Sequence, residues 1–148
     1  MWHKILSTTV ALMLFGIVLL EPVTAQSVVW TGAYYNNSFL IDQSQMTRQD
    51  AAIAFDWGTG SPGGGVNSDG FTVRWAADPY FAAGTYRFCA RADDEVRVNV
   101  GYAFSPQIDT FGKAKVGETL CADVTLTEGV HHVQVDYREA NGQAFIFV

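Results

Sequence analysis

The stretch YRFCARADDEVRVNV, residues 86–100, decides the expected fold. Apolar and polar residues alternate over residues 86–92 and again over 96–100, which is the pattern of two half-buried β-strands. Asp93 and Asp94 lie between these segments, where we expect the chain to turn in a β-hairpin. The segment therefore predicts an anionic cluster at one end of a rigid sheet, where a hard cation such as calcium can bind. The alternative is a solvated turn whose acids only cap backbone amides.

The same alternation recurs along most of the chain. Candidate strands lie at residues 51–57, 71–75, 84–92, 96–100, 119–127, 131–137 and 144–148. Aromatic residues make up 14% of the sequence and charged residues only 16%, which favours a sandwich of sheets over a helical bundle. We therefore expect an all-β protein, an antiparallel, jelly-roll-like β-sandwich in a single domain, with no helix after the N-terminal segment.

The first 25 residues have the three zones of a secretory signal peptide. Lys4 is basic, residues 5–20 form an apolar run, and residues 23–25 provide small side chains for cleavage. This pattern predicts a mature domain at residues 26–148 that is secreted to the extracellular space or the cell surface, with no membrane span after cleavage. An uncleaved membrane anchor is the alternative.

Cys89 and Cys121 are expected to form a disulfide bond. An exported protein folds in an oxidising compartment, where paired cysteines persist. In strand phase, each cysteine falls on the polar face of its segment, residues 84–92 and 119–127. A bridge on the outer face between neighbouring strands satisfies both positions. Two free thiols are the alternative.

The charge of the chain argues against several functions. The formal net charge is −6 and no basic cluster is present, which is a poor basis for binding nucleic acid or anionic membranes but suits divalent cations. The glycine-rich run at residues 58–65 lacks the Gly-Lys-Ser/Thr ending of a phosphate loop and is interpreted as a long loop. Adjacent aspartates do not flank a scissile bond from two sides, and no Ser/His/Asp or Cys/His arrangement is evident. We therefore do not expect an enzyme.

Several motifs in one order resemble those of a known family. They are WTGAYYNN (30–37), FDWG (55–58), GSP (60–62), DGFTVRW (69–75), GTYRF (84–88), DDEVR (93–97), IDTF (108–111), LTEGVH (126–131) and DYRE (136–139). The chain resembles the lectin-like domain that is named after the anthrax protective antigen fragment. Yeast flocculins, bacterial adhesins and some glycosidases carry this domain. The resemblance extends from Trp30 to the end of the chain.

This resemblance implies a β-sandwich that binds carbohydrate through calcium. In sugar-binding members, paired aspartates joined by a cis peptide hold the ion, and by this likeness Asp93 and Asp94 are calcium ligands. A later loop supplies further ligands. Residues 138–143 lie where that loop is expected, and Asn141 is their best side-chain oxygen, an assignment that rests on loop position and not on a matching motif. The family pattern has a glycine after the aspartate pair, where this chain has Glu95.

Calcium takes about six to eight oxygen ligands, so two carboxylates leave positions for carbonyls, water and sugar hydroxyls. Asp93 and Asp94 are thus also expected to contact the sugar through the ion. Tyr102 and Phe104 are candidates to pack on the apolar face of the sugar, as are Tyr34 and Tyr35. The alternative for each aromatic residue is ordinary packing in the core or a loop.

We therefore expect a secreted, non-catalytic, calcium-dependent carbohydrate-binding module of the lectin or adhesin type. Its expected partners are glycans or polysaccharides. The alternative is a structural subunit of an extracellular or cell-surface assembly, such as a fibre, that has no sugar site. In that case sheet edges would pair between copies of the chain or with other surface proteins.

Overall fold

The computed structural model describes residues 27–102 and 105–148 of the 148-residue chain. Within these ranges the chain forms twelve β-strands and no helix, and so it has no helical segment able to cross a membrane. The strands pair in antiparallel fashion throughout. The prediction of an all-β, antiparallel fold is confirmed. The signal peptide predicted at residues 1–25 lies outside the described residues.

A six-stranded sheet forms one layer of the sandwich. Its strands are β1 (Trp30–Tyr35), β2 (Met46–Asp50), β4 (Phe71–Ala77), β7 (Glu95–Val100), β8 (Ile108–Asp109) and β11 (Val133–Glu139). They lie in the order β2-β1-β4-β11-β7-β8. The central strands β4 and β11 pair over seven residues, which is the longest ladder of this sheet.

A four-stranded sheet forms the second layer. Two further short strands pair with each other in a separate ribbon. The four strands are β3 (Ala54–Gly58), β6 (Gly84–Ala92), β9 (Thr119–Leu126) and β12 (Ala144–Phe147). Their order is β3-β12-β6-β9. The ribbon consists of β5 (Tyr80–Phe81) and β10 (Gly129–Val130).

The core lies between the two sheets, because alternate residues of each strand point to the same side. From the larger sheet it takes Tyr34, Phe71, Val73, Trp75, Val98, Val135 and Tyr137, all fully buried. From the smaller sheet it takes Ala90, Ala92, Leu126, Ala144 and Ile146. Phe55 and Trp57 stack on each other and close one side of this core.

One buried acid in the core is fully paired. Asp50 ends β2 and accepts hydrogen bonds from the Tyr34 hydroxyl and the Trp75 indole, both at 2.8 Å, and from Arg48 Nε at 2.6 Å. Gly32 lies against this group, since a Cβ built there would be 2.8 Å from Asp50 Oδ2. The glycine in the opening motif is therefore a packing requirement.

The predicted disulfide bond is present. Cys89 of β6 and Cys121 of β9 lie directly opposite each other in the ladder and are bonded, with no free cysteine in the described residues. Cys121 is exposed and Cys89 half-buried, while the adjacent Ala90 faces the core. The bridge therefore lies on the outer face of the smaller sheet, as strand phase predicted.

The predicted hairpin at Asp93 and Asp94 is wrong. The alternating segments on either side are indeed strands, but β6 belongs to the smaller sheet and β7 to the larger one. Strand β6 pairs with β9 and β12, whereas β7 pairs with β11 and β8. Both segments satisfy their backbone groups with strands distant in sequence, so the two aspartates link one sheet to the other across the end of the sandwich.

Candidate functional site

Asp93 is fixed by the strand that follows the candidate ligand loop. Its Oδ1 accepts hydrogen bonds from the Tyr137 hydroxyl at 2.6 Å and from the Phe145 amide at 3.0 Å. Its own amide donates to the Phe145 carbonyl at 3.3 Å. Asp93 is buried, and these bonds tie the link between the sheets to β11 and β12. The carboxylate is therefore held in one orientation.

Asp94 is half-buried and fixes the loop at residues 140–143. Its Oδ2 accepts a hydrogen bond from the Ala140 amide at 2.7 Å. The same loop is held from its other side, since the Gly142 amide donates to Asp69 Oδ1 at 2.8 Å and the Gly70 amide donates to the Ala140 carbonyl at 3.2 Å. The loop predicted to supply further ligands thus lies beside the aspartate pair, as expected.

A third carboxylate, Glu139, completes the group. One ligand oxygen from each of Asp93, Asp94 and Glu139 lies within 4.8 Å of the others. Glu139 is 0% exposed, and its Oε2 lies 2.8 Å from the Tyr137 hydroxyl. Its Oε1 is buried and has no hydrogen-bond partner among the described residues. A buried carboxylate oxygen without a donor is costly, so beside two other acids Glu139 needs either a bound proton or a cation.

The electrostatics of the site reflect this crowding. Burial, followed by the hydrogen-bonding contact with Asp93, raises the pKa of Glu139 to about 8. The nearby charges of Asp93 and Asp94 act in the same direction. Burial and Asp93 also raise the pKa of Tyr137 well above its usual range, so its hydroxyl remains a donor. Without a cation, therefore, Glu139 holds its proton at neutral pH.

The donor set fits a hard divalent cation. All three side chains offer carboxylate oxygens, which calcium prefers, and none offers the nitrogen or sulfur typical of zinc sites. Three carboxylates do not fill the six to eight positions that calcium takes. The remaining positions would go to backbone carbonyls, water or ligand hydroxyls.

Glu95, which stands where the family pattern has glycine, is turned away from this group. Its Oε1 accepts a hydrogen bond from the Gly112 amide at 3.0 Å, and its other oxygen pairs with Arg138. The guanidinium carbons of Arg97 and Arg138 lie 4.3 and 5.4 Å from the centre of the Phe111 ring. Glu95 therefore fastens the loop after β8 to β7 and β11, and it leaves the aspartate pair in place.

The peptide bond between Asp93 and Asp94 is trans. No cis peptide bond occurs in the described residues, so the cis bond expected from the family resemblance is not formed. A cis bond that does not precede proline costs about 3 kcal/mol. Both aspartates make their hydrogen bonds here with the trans form.

The structure does not bring every predicted site residue together. Asn141 is exposed in the 140–143 loop and is outside the group of three carboxylates, so its role as a ligand stays a prediction. Tyr102 follows the far end of β7, opposite to the end that Asp94 precedes. It is 87% exposed and stacks on His132 at 5.1 Å. Phe104 lies outside the described residues.

The candidate aromatic residues of β1 have a different outcome. Tyr34 is fully buried and its hydroxyl is bonded to Asp50, so the packing alternative is correct for this residue. Tyr35 is half-buried at the end of β1.

Glu139 was not among the predicted ligands. Its signal in the sequence is strand phase, because it shares the inward face of Val133, Val135 and Tyr137.

Comparison with known proteins agrees with this architecture. A solved anti-sigma factor domain-containing protein superposes with a TM-score of 0.69 at 29% identity, over 79% of this chain and 40% of the other. A PA14 sugar-binding domain from an RTX adhesin superposes with a TM-score of 0.62 at 20% identity, over 82% of this chain and 88% of the other. At that identity the second likeness shows a shared fold.

Sequence comparison identifies a curated relative and the family. Anti-sigma-I factor RsgI3 of Acetivibrio thermocellus is 39% identical over 69 residues, which cover 45% of this chain and 10% of that protein. The chain thus spans a small part of the relative that it matches. The sequence profile of the PA14 domain matches residues 25–146, which is nearly all of the described chain. The chain belongs to the PA14 domain family.

Proposed function

We propose that this PA14 domain is a calcium-dependent carbohydrate-binding module. The observation that carries the proposal is the group of three carboxylates, Asp93, Asp94 and Glu139, with a buried Glu139 oxygen that has no partner in the described residues. Asp93 and Asp94 are held by hydrogen bonds and Glu139 by β11, so the group is preorganised. A bound calcium ion would supply a centre on which vicinal sugar hydroxyls can replace water.

A carbohydrate partner is supported by the family. PA14 neighbours of known structure include a sugar-binding domain from an adhesin, which shares the fold of this chain. Open coordination positions at the rim of a sandwich suit a ligand with many hydroxyl groups. The 140–143 loop is tied to Asp94 through the Ala140 amide, and we propose its carbonyls and Asn141 as sources of the remaining ligands.

The spacing of the three carboxylates favours binding over catalysis. Glycosidases place two carboxyl groups on opposite sides of the scissile bond, about 5 to 9.5 Å apart. Here the three acids converge on one point within 4.8 Å. Such a group neutralises a cation, and it has no second carboxyl positioned across a substrate.

The test is calcium titration calorimetry, followed by a glycan array with calcium and with chelator. Asp94→Asn removes a half-buried carboxylate that makes one backbone contact, and it should weaken calcium binding at least about tenfold while the domain stays folded. Asp123→Asn is the matched control, since that exposed acid lies on β9 and pairs with Arg87. Absence of calcium binding by the wild type, or equal binding by Asp94→Asn, would refute the proposal.

A second role is favoured by the anti-sigma relatives. This chain matches part of anti-sigma-I factor RsgI3 and part of a solved anti-sigma factor domain-containing protein. A PA14 domain in that setting would act as the input domain of a signalling protein, with the glycan as its signal. Secretion or display at the cell surface is part of this proposal.

The alternative, a structural subunit of an extracellular assembly, stays a prediction. Light scattering over a range of concentrations would test it.

A further inference from the structure

The loop between β1 and β2 exposes two large apolar side chains. This segment, residues 36–43, is called the 36–43 loop here. Phe39 is 72% exposed and Ile41 is 54% exposed. Its other positions are mostly polar, namely Asn36, Asn37, Ser38, Asp42 and Gln43. The result is a small apolar patch in polar surroundings.

The backbone of the 36–43 loop is strained next to this patch. Leu40 and Asp42 have φ values of 57° and 68°, in the left-handed region that residues with a Cβ rarely adopt. Aspartate tolerates this region, whereas leucine does so only where its surroundings hold it, so the strain lies chiefly at Leu40. Strain of this kind is an observation that points towards function.

The strained conformation is held by two asparagines. Asn37 Oδ1 accepts from the Phe39 amide and Asn37 Nδ2 donates to the Ile41 carbonyl, both at 2.9 Å. The Asn37 carbonyl accepts from the Thr72 hydroxyl of β4 at 2.9 Å. Asn36 bonds in the same way to the backbone of the glycine-rich loop, at Gly65 and Asn67. Phe39 and Ile41 are thus presented on a rigid support, and little ordering remains to be done when they bind.

The 36–43 loop lies at the same end of the sandwich as the three carboxylates. In the ladder, Tyr35 of β1 is opposite Thr72 of β4, Thr72 is opposite Arg138, and Arg138 is opposite Glu95. Asp94 directly precedes Glu95. Two strand spacings therefore separate the end of β1 from the strand of Glu139, and three separate it from Asp94, which is about 10 to 14 Å across the sheet.

We propose that the 36–43 loop is the outer part of the sugar site, so that the domain recognises an oligosaccharide and not a single sugar. The proposal rests on the proposed function. A terminal sugar bound at the carboxylate group is too short to reach the loop, whereas a chain of two or three units reaches it. The apolar face of the distal unit then packs on Phe39 and Ile41.

A sugar suits this patch better than a protein does. Specific protein interfaces bury about 800 Å² on each partner and centre on a larger apolar cluster. Two side chains ringed by asparagine, serine and aspartate match one pyranose ring, which has an apolar face and polar edges. The continuity of the patch with the carboxylate end of the sheet favours the same ligand at both.

The experiment compares saccharide length in the wild type and in loop variants. The probes are mono-, di- and trisaccharides of glucose, galactose, mannose, N-acetylglucosamine and galacturonate, arrayed in calcium. The wild type should bind a trisaccharide about tenfold more tightly than its terminal monosaccharide. Phe39→Ser and Ile41→Ser should remove most of that preference and leave calcium affinity unchanged. Val130→Ser is the control, since Val130 is 64% exposed and lies on β10, beyond the opposite end of β11.

Each outcome decides the matter. Calcium-dependent binding without a preference for length, or with a preference that both loop variants keep, overturns this inference and leaves the proposed function standing. No saccharide binding by the wild type overturns both. A shift in molecular mass by light scattering in Phe39→Ser, without a change in saccharide binding, would assign the patch to a protein contact instead. Asn37→Ala retains both apolar side chains but frees the loop, and it should weaken trisaccharide binding selectively.

Discussion

Replacing Glu139 with glutamine should remove one pH-dependent component of the stability of the calcium-free protein. Burial and the neighbouring Asp93 raise the pKa of Glu139 to about 8 in the folded state, against 4.5 for an ordinary glutamate. Between these values the folded protein holds a proton that the unfolded chain has released. The free energy of unfolding must therefore fall as pH rises from about 4.5 to about 8, and level off outside this window.

The size of the effect follows from one proton. A difference of one bound proton changes the free energy of unfolding by at most about 1.4 kcal/mol per pH unit. Two like charges at the 4.8 Å limit repel by about 3.5 kcal/mol at an effective dielectric constant near 20, which is about the stability change that this slope produces over two to three pH units. Repulsion of that size is enough to keep a proton on one of three converging carboxyls.

Urea unfolding in chelator at half-unit steps from pH 5.5 to 8.5 measures this component. Wild-type stability should decline relative to Glu139→Gln by about 1 kcal/mol per pH unit up to about pH 7.5. All other ionisable groups are common to the two proteins, so their contributions cancel in the difference. Glu118→Gln, an exposed acid that pairs with Lys115, should follow the wild type. Parallel wild-type and Glu139→Gln curves would show that Glu139 is ionised in the folded state and would refute the reasoning.

Three further variants test the scaffold by chemical denaturation. Gly32→Ala should destabilise the domain by about 1–3 kcal/mol, because the new Cβ would lie 2.8 Å from Asp50 Oδ2 in a closed space; a neutral result would mean that this part of the core yields easily. Cys89→Ser combined with Cys121→Ser should lower the free energy of unfolding by about 3 kcal/mol. A reduced wild type that is as stable as the oxidised wild type would contradict that loss. Tyr137→Phe should cost about 1–3 kcal/mol, since its hydroxyl bonds to two buried acids, and the loss should shrink when calcium is added.

Strand alternation predicted most of the fold. The segment at residues 84–92 is a strand with the predicted limits, and the others differ by one to three residues at their ends. Two longer strands were not predicted, β1 and β2. Strand β1 carries Gly32, which breaks the apolar pattern because Asp50 and Trp75 need its space. Strand β2 is a largely polar edge strand, whose pattern in the sequence is that of a loop.

The hairpin error has a physical cause. Two alternating segments separated by a pair of turn-forming residues are what a hairpin requires locally. The choice between pairing with each other and pairing with distant strands is made by the whole core. Here β9 pairs with β6 over eight residues and β11 pairs with β7 over six, and Asp93 bonds to the backbone of Phe145. Local sequence does not contain that information.

The sequence predicted only part of the candidate site. The resemblance identified Asp93 and Asp94 and the loop after β11, and these do lie together. It gave no reason to separate Tyr102 from them, because that residue is only eight positions away in sequence yet follows the opposite end of β7. Chain distance along a strand becomes distance in space at about 3.3 Å per residue.

Glu139 shows which signal was available in the sequence. It continues the inward phase of Val133, Val135 and Tyr137, so a strand through these residues must bury its carboxyl group. A buried acid needs a full set of donors, a bound proton or a cation. Asp50 has the first, with three donors, whereas one oxygen of Glu139 has none in the described residues. An acid in phase with the core is thus ambiguous in sequence, and its donor count in the structure separates a scaffold acid from a candidate ligand.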